Sequence, residues 1–157
     1  MQTITPFLWF DGKAEEAMTF YVSVFRNSKV VNVTRYGAGG PGPAGTVMSA
    51  TFQLDGQTFM ALNGGPQFTF TPAISFFVNC ETQHEVDELW DTLSQGGTTE
   101  RCGWLKDRYG LSWQIIPSIL GRLLGDKDPA KSRRVMQAML QMTRIDIQGL
   151  QQAYDQP

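Results

Sequence analysis

The chain is short of the side chains on which most hydrolases and metalloenzymes depend. Histidine occurs once, as His84, and cysteine twice, as Cys80 and Cys102. Two cysteines so far apart make neither a disulfide framework nor a zinc knuckle, and a reducing compartment keeps both as thiols. No Gly-Lys-Ser/Thr phosphate loop, G-x-S-x-G elbow or C-x-x-C pair occurs. Long apolar runs are also missing, since even the stretch around Ala73 to Val78 falls far below the ~20 residues that a helix needs to cross a bilayer. The opening Met-Gln-Thr-Ile-Thr-Pro-Phe has neither a basic segment nor a long apolar one, so it does not read as a secretion signal and a cytoplasmic protein is expected. Nor is there an excess of positive charge. Thirteen Lys and Arg against fifteen Asp and Glu leave a net charge of −2, which provides no field for holding a nucleic-acid backbone.

What is present describes a folded chain. The 157 residues suit one compact unit, and 41% hydrophobic with 18% charged residues excludes intrinsic disorder. Ile4 to Phe10 reads as a buried strand closed by Asp11-Gly12. Ala17, Phe20, Tyr21, Val24 and Phe25 then recur with helical spacing behind Glu15 and Glu16, whose charge suits a helix N-terminus. Strands are expected over Lys29 to Tyr36, Thr46 to Leu54 and Gln57 to Asn63, the last two joined through Asp55-Gly56 as a tight hairpin. From Pro72 the plan starts again. Ala73 to Val78 reads as a strand, Thr82-Gln-His-Glu85 as a capping box, and Val86, Leu89, Trp90 and Leu93 as the buried stripe of the next helix, with strands over Glu100 to Leu105 and Leu111 to Pro117. A shift of 69 residues lays Phe7 and Leu8 on Phe76 and Phe77, and Ala17, Phe20, Tyr21 and Val24 on Val86, Leu89, Trp90 and Leu93. That self-similarity predicts an internal duplication of a βαβββ module, each copy having a sheet face it cannot bury alone.

Expected boundaries follow: one domain over 1–118 made of modules at about 1–65 and 70–118, then a helical extension over 119–157. The extension carries six basic and four acidic residues, against seven and eleven in the preceding part. Asp128-Pro129 starts one of its helices, with Val135, Met136, Met139 and Leu140 as the stripe, and another follows Asp146 with Leu150, Ala153 and Tyr154 inside.

Gly37-Ala-Gly39-Gly-Pro-Gly42 spells the dinucleotide fingerprint after a strand, yet Pro41, Pro43 and Gly45 and a further strand follow where a helix N-terminus must meet the pyrophosphate. The loop is read as a connection at a sheet rim, able to cover a cavity, and not as a nucleotide or methyl-donor site. Cys102, between Arg101 and Lys106, is a weak candidate nucleophile alongside the ordinary reading of a core thiol. Period-2 alternation separates Ser112 and Gln114 from Leu111, Trp113 and Ile115, and a polar pair on a strand built for burial points into a cavity. For Asp107 and Arg108 a solvated turn is an equally good reading.

The paired plan, Pro6-Phe-Leu-Trp-Phe-Asp-Gly12 with Glu15-Glu16-Ala17 and Phe20-Tyr21, Ala61-Leu-Asn-Gly-Gly65, and Cys102-Gly-Trp-Leu-Lys-Asp-Arg-Tyr-Gly-Leu-Ser-Trp-Gln114 together resemble the PhnB-like branch of the vicinal oxygen chelate (glyoxalase/bleomycin-resistance/dioxygenase) superfamily. The resemblance covers nearly the whole chain. That branch is often labelled 3-demethylubiquinone-9 3-methyltransferase-like, although no cofactor-binding glycine loop exists here. It implies an α+β fold in which two βαβββ modules form a curved, cup-shaped mixed sheet, with a C-terminal helical tail and commonly a homodimer. In the wider superfamily, inner strands hold a divalent metal with His, Glu or Gln, and the corresponding positions fall near Thr5, Asn63, Ile74 and Gln114, of which Gln114 alone is a plausible ligand. The resemblance therefore implies a small-molecule binder without the usual metal site and with no assigned cofactor. Trp9, Trp104 and Trp113 would form its apolar wall, Asn63 and Gln114 its hydrogen-bonding groups, and Lys106 and Asp107 would stand nearby. Two other readings stay open: a metal-dependent isomerase, lyase or dioxygenase, and a non-catalytic dimeric binding module docking through the basic tail. Gln114 and Cys102 are the weak catalytic candidates if there is a reaction.

Overall fold

A computed structural model describes residues 2–157. The chain divides into two compact units, the first reaching Phe70 and the second running from Thr71 to Pro157.

In the first unit, β1 (Phe7–Phe10), α1 (Ala14–Val24), β2 (Lys29–Arg35), β3 (Val47–Leu54) and β4 (Gln57–Asn63) follow the expected βαβββ order. The sheet order is β1-β4-β3-β2, with β1 parallel to β4 and the other pairs antiparallel. Strand alternation sends Leu8, Phe10, Ala50, Phe52, Leu54, Phe59 and Ala61 to one face, and all are buried. Against them α1 buries Ala14, Ala17, Met18 and Tyr21, spaced i, i+3, i+4 and i+7. Met18 thus takes the place that the sequence reading gave to Phe20, which is half-buried. Asp55 and Gly56 both have positive φ, 48° and 78°, as a type I′ hairpin demands.

The glycine-rich segment joins β2 to β3 and opens no helix, so no pyrophosphate-binding helix N-terminus is formed. It is tied back on itself: Tyr36 N–H donates to Thr46 O and Gly45 N–H to Tyr36 O, each at 2.9 Å. Arg35 adds a bond to Gly45 O and pairs with Glu15 of α1.

The second unit repeats the topology. β5 (Ser75–Cys80), α2 (Gln83–Leu93), β6 (Thr98–Thr99), β7 (Trp104–Lys106) and β8 (Ser112–Pro117) give the order β5-β8-β7-β6, again with the first strand parallel to the last. Thr82 caps α2 by accepting from Glu85 N–H, while the Glu85 carboxylate turns back to the N–H of Glu81, one residue before the usual capping-box partner. Both helices obey the 69-residue shift, since Ala14–Val24 maps onto Gln83–Leu93. The strands do not. Leu8 and Phe10 face α1, whereas in β5 it is Phe76 and Val78 that stand beside Trp113 and Ile115, so the strand repeat is 68 residues and the expected pairing of Phe7 with Phe76 is one position out. A one-residue slip exchanges the two faces of a strand but costs nothing visible in composition. Of the strand expected over Glu100 to Leu105 only Trp104 and Leu105 are in a strand, because the chain turns at Cys102 and Gly103, with φ of 60° and 84°, and the short β6 lies before the expected start.

Three helices complete this unit: α3 (Ser118–Leu124), α4 (Pro129–Leu140) and α5 (Ile147–Asp155). The caps of α4 and α5 are the expected Asp128 and Asp146. Ile116 at the end of β8 joins Leu120, Leu123, Val135, Ile145 and Leu150 in a second core. Of the stripe expected on α4, only Val135 is buried, and Met136 and Leu140 are 40% and 48% exposed. Among the described residues no helix is long and apolar enough to cross a membrane.

Candidate functional site

The sequence-derived candidates fall in both units, and each place is described separately. In the first, Trp9 stands on the sheet face turned away from α1, level with Leu62 on β4. Its indole N–H donates to Gly65 O at 2.9 Å and its ring meets Phe68 edge-on at 4.9 Å. Gly64 lies so close under the ring that any Cβ there would collide with it, and Gly65 beside it has a φ of 98°. Phe7, on the same face, is 51% exposed.

Asn63 is placed differently from Trp9. Aligned with Phe10, it lies on the face that α1 covers, and both ends of its amide are engaged: Oδ1 accepts from Ala14 N–H and Nδ2 donates to Val47 O, each at 2.9 Å. Lys13 at the start of α1 provides no side-chain cap, so Asn63 satisfies a helix N–H from 49 residues away. Sequence spacing gave no hint of this long-range cap.

In the second unit the structure brings Trp104, Lys106 and Gln114 onto one face of the sheet. Trp104 lies opposite Gln114 and Lys106 opposite Ser112, while on the other side Phe77 and Ser75 flank Gln114 and Ser112. This face is turned away from the α2 side, where Leu105, Trp113 and Ile115 are buried. Ile116, two residues beyond Gln114, is covered by the tail helices, so the tail closes one end of the face. Gln114 is part-buried, and its Nε2 donates to Ser75 Oγ at 2.9 Å. Phe77 is 55% exposed beside it.

Asp107 and Trp113, two expected members, belong to the opposite side. Asp107 is 3% exposed; its Oδ1 accepts from the N–H groups of Tyr109 and Leu111, and its Oδ2 accepts from Trp113 Nε1 at 2.9 Å. This carboxylate closes the turn before β8, and the solvated-turn reading is corrected for it: three donors fix the charge in the interior. Arg108 is exposed.

Cys102 is held by the tail. Its N–H donates to Met142 O and that of Gly103 to Thr143 O, while Sγ lies 3.6 Å from Met139 O. Cys80 is fully buried, and burial, followed by the nearby Glu85 and Glu81, pushes its thiol up to about 11. The single histidine, His84, sits on the exposed side of α2 beside Glu88. Among the described residues no three His, Cys, Asp or Glu side chains gather as a metal-binding group. A cavity of about 580 Å³ lies between α2 and residues 143–146, with Arg144 bridging to Asp87 and Asp91; it includes none of the expected site residues.

A duplicated βαβββ unit with parallel outer pairing and helix-covered sheets defines a vicinal oxygen chelate protein with the glyoxalase/bleomycin-resistance fold. Residues 2–116 match the family described as 3-demethylubiquinone-9 3-methyltransferase, and the chain belongs to that family, the PhnB-like branch. A Bacillus cereus structure described as a 3-demethylubiquinone-9 3-methyltransferase, PhnB protein, is 46% identical, covering 74% of this chain and 100% of its own, with a TM-score of 0.71. The Pseudomonas aeruginosa protein PA1353 is similar in fold at 22% identity, with 74% and 98% covered and a TM-score of 0.63. So is the Listeria monocytogenes fosfomycin resistance protein FosX, at 12% identity, 75% and 93% covered and a TM-score of 0.53. No curated protein matches the chain.

Proposed function

We propose that this protein binds a small organic molecule on the sheet face that carries Trp104, Lys106 and Gln114, without a metal of the usual superfamily kind. The observation that carries the reading is Gln114: a polar side chain held by Ser75 between Trp104 and the exposed ring of Phe77. Ligand sites combine apolar and aromatic walls with a few fixed polar groups. Trp9, fixed by Gly65 O and Phe68, belongs to the first unit and is left out of this face. Asn63 and Asp107 act as supports, since their polar atoms are committed within the fold.

Donor chemistry supports the metal-independent reading. Of the four positions that correspond to superfamily ligands, Ile74 has no donor atom, Thr5, Asn63 and Gln114 are neutral, and both ends of the Asn63 amide are engaged by the backbone. Methyl transfer from a nucleoside-linked donor, which the family's name suggests, finds no supporting loop. We further propose a cytoplasmic homodimer, with the exposed Phe7 as support for the association.

A thermal-shift screen of metabolites and antibiotics, followed by Gln114→Ala and Trp104→Ala on any hit, tests the site. Both variants are expected to lose at least ~10-fold in affinity; unchanged binding by both rejects the assignment. Elemental analysis of protein purified without chelators tests the other half, because stoichiometric zinc, nickel, manganese or iron would overturn it.

A further inference from the structure

Ser112 is fully buried, and its Oγ is the one enclosed side-chain polar atom, among the described residues, that has no hydrogen-bond partner. A buried hydroxyl left unpaired bears the full desolvation cost of a hydrogen bond that is not made. Native folds rarely keep such a group without a use for it. Its position in the sheet suggests one. Directly across from it on β7 is Lys106, directly across on β5 is Ser75, and Gln114 follows two residues on along the same face. No ion pair engages Lys106 among the described residues, although the chain carries more acidic than basic groups.

The row Lys106, Ser112, Ser75 is rich in donors and contains no carboxylate. An ammonium brings three N–H donors and no acceptor, and each serine hydroxyl can turn its O–H toward an incoming lone pair. Carboxylates of this stretch lie off the row. Asp107 spends its oxygens on the opposite side, on Trp113 and two backbone N–H groups, and Glu100 is at the β6 end beside Trp104. Charge-assisted bonds from such a set are strongest to an anionic oxygen.

We propose that the ligand of this face carries an oxyanion, a carboxylate or a phosphoryl group, received by Lys106 and Ser112 while its apolar body lies along Trp104 and Phe77. This deepens the reading above and rests on it. Because Ser112 is fully buried in the free protein, side chains around it must move to admit the anion, and its hydroxyl then gains the partner that the free protein lacks.

The full-length protein, isotope-labelled, is titrated separately with benzoate, phenyl phosphate and the neutral benzamide while the Trp104 indole and Gln114 amide NMR signals are followed. At least one anion is expected to bind ~10-fold or more tightly than benzamide. Lys106→Met is expected to abolish that preference. Ser112→Ala is expected to weaken the anion several-fold while the melting temperature holds or rises, an effect that a serine serving only to fill space does not produce. Equal binding of anion and amide, or a preference that survives Lys106→Met, overturns the proposal and leaves the site standing. If none of the three probes moves either signal, the assignment of the face as a binding site falls, and the oxyanion with it.

Discussion

Two polar side chains in this protein, the part-buried Asn63 and the fully buried Ser112, have opposite standing, and their substitution should show it. Asn63 uses both ends of its amide to tie the start of α1 to β3. Removing it leaves a helix N–H and a strand carbonyl without partners, so Asn63→Ala should cost about 1–3 kcal/mol, read from denaturant unfolding, with faster amide exchange at Ala14. Ser112 has no partner to lose. Replacing its hydroxyl by hydrogen should leave stability unchanged or raise it by about 1 kcal/mol, and a clear loss on the same scale would show that the oxygen is bonded after all. Cys80 adds a pH-dependent component. Its thiol, buried and pushed up to about 11, favours the folded state fully below the unfolded thiol value near 9 and loses that contribution as the pH rises toward 11. Cys80→Ala should flatten the decline in melting temperature over that window.

Among the secondary-structure elements, the tail invites the most direct test. Met142 O and Thr143 O accept from the N–H groups of Cys102 and Gly103, Gln83 bonds both Ile145 O and Ile147 N–H, and Ile145 is fully buried beside Ile116. Ile145→Ala should therefore cost about 2–5 kcal/mol, and deletion after Ser118 should destabilise the second sheet and not merely remove a docking arm. The packing of α5 also depends on pH. Tyr154 O–H donates to Asp126 at 2.6 Å, which lowers the Asp126 carboxyl and raises the Tyr154 phenol. For Asp126 the stabilisation is present above the ordinary carboxylate range and is lost as pH falls through its lowered value; for Tyr154 it is present below the ordinary phenol value near 10 and is lost as pH rises. The melting-temperature gap between the parent and Tyr154→Phe should be widest between about pH 5 and 9 and shrink on both sides.

Much of this level was legible in the sequence because it is local. Helix stripes, the Asp128 and Asp146 caps and the Asp55-Gly56 turn are fixed by residues within a few positions of one another. What escaped depended on distant partners: the Asn63 cap, the division of β6 from β7 at a turn held by the tail, and the exposure of Met136 and Leu140. α3 was missed because its apolar residues follow β8 without a break that composition could reveal. For the candidate site, alternation along β8 correctly separated Ser112 and Gln114 from Leu111, Trp113 and Ile115. It had no means of telling that Asp107 would turn inward to meet Trp113.

At the scale of the molecule, two copies of one βαβββ plan differ in what the sheet faces turned away from α1 and α2 present. The first offers Phe7 and Trp9, an aromatic surface; the second sets Lys106, Ser112 and Gln114 among Trp104 and Phe77. Duplication thus supplies a common scaffold, and in our proposal the polar residues of the second copy give it a surface suited to a ligand. Family membership fixes the fold without fixing the chemistry. The central claim is that the face bearing Trp104 and Gln114 binds a small molecule. Its most direct test is calorimetric titration of the parent, Gln114→Ala and Trp104→Ala with a compound found by thermal-shift screening. A loss of at least ~10-fold in both variants, with unchanged unfolding curves, is the expected result; affinities equal to the parent's in both would contradict the account.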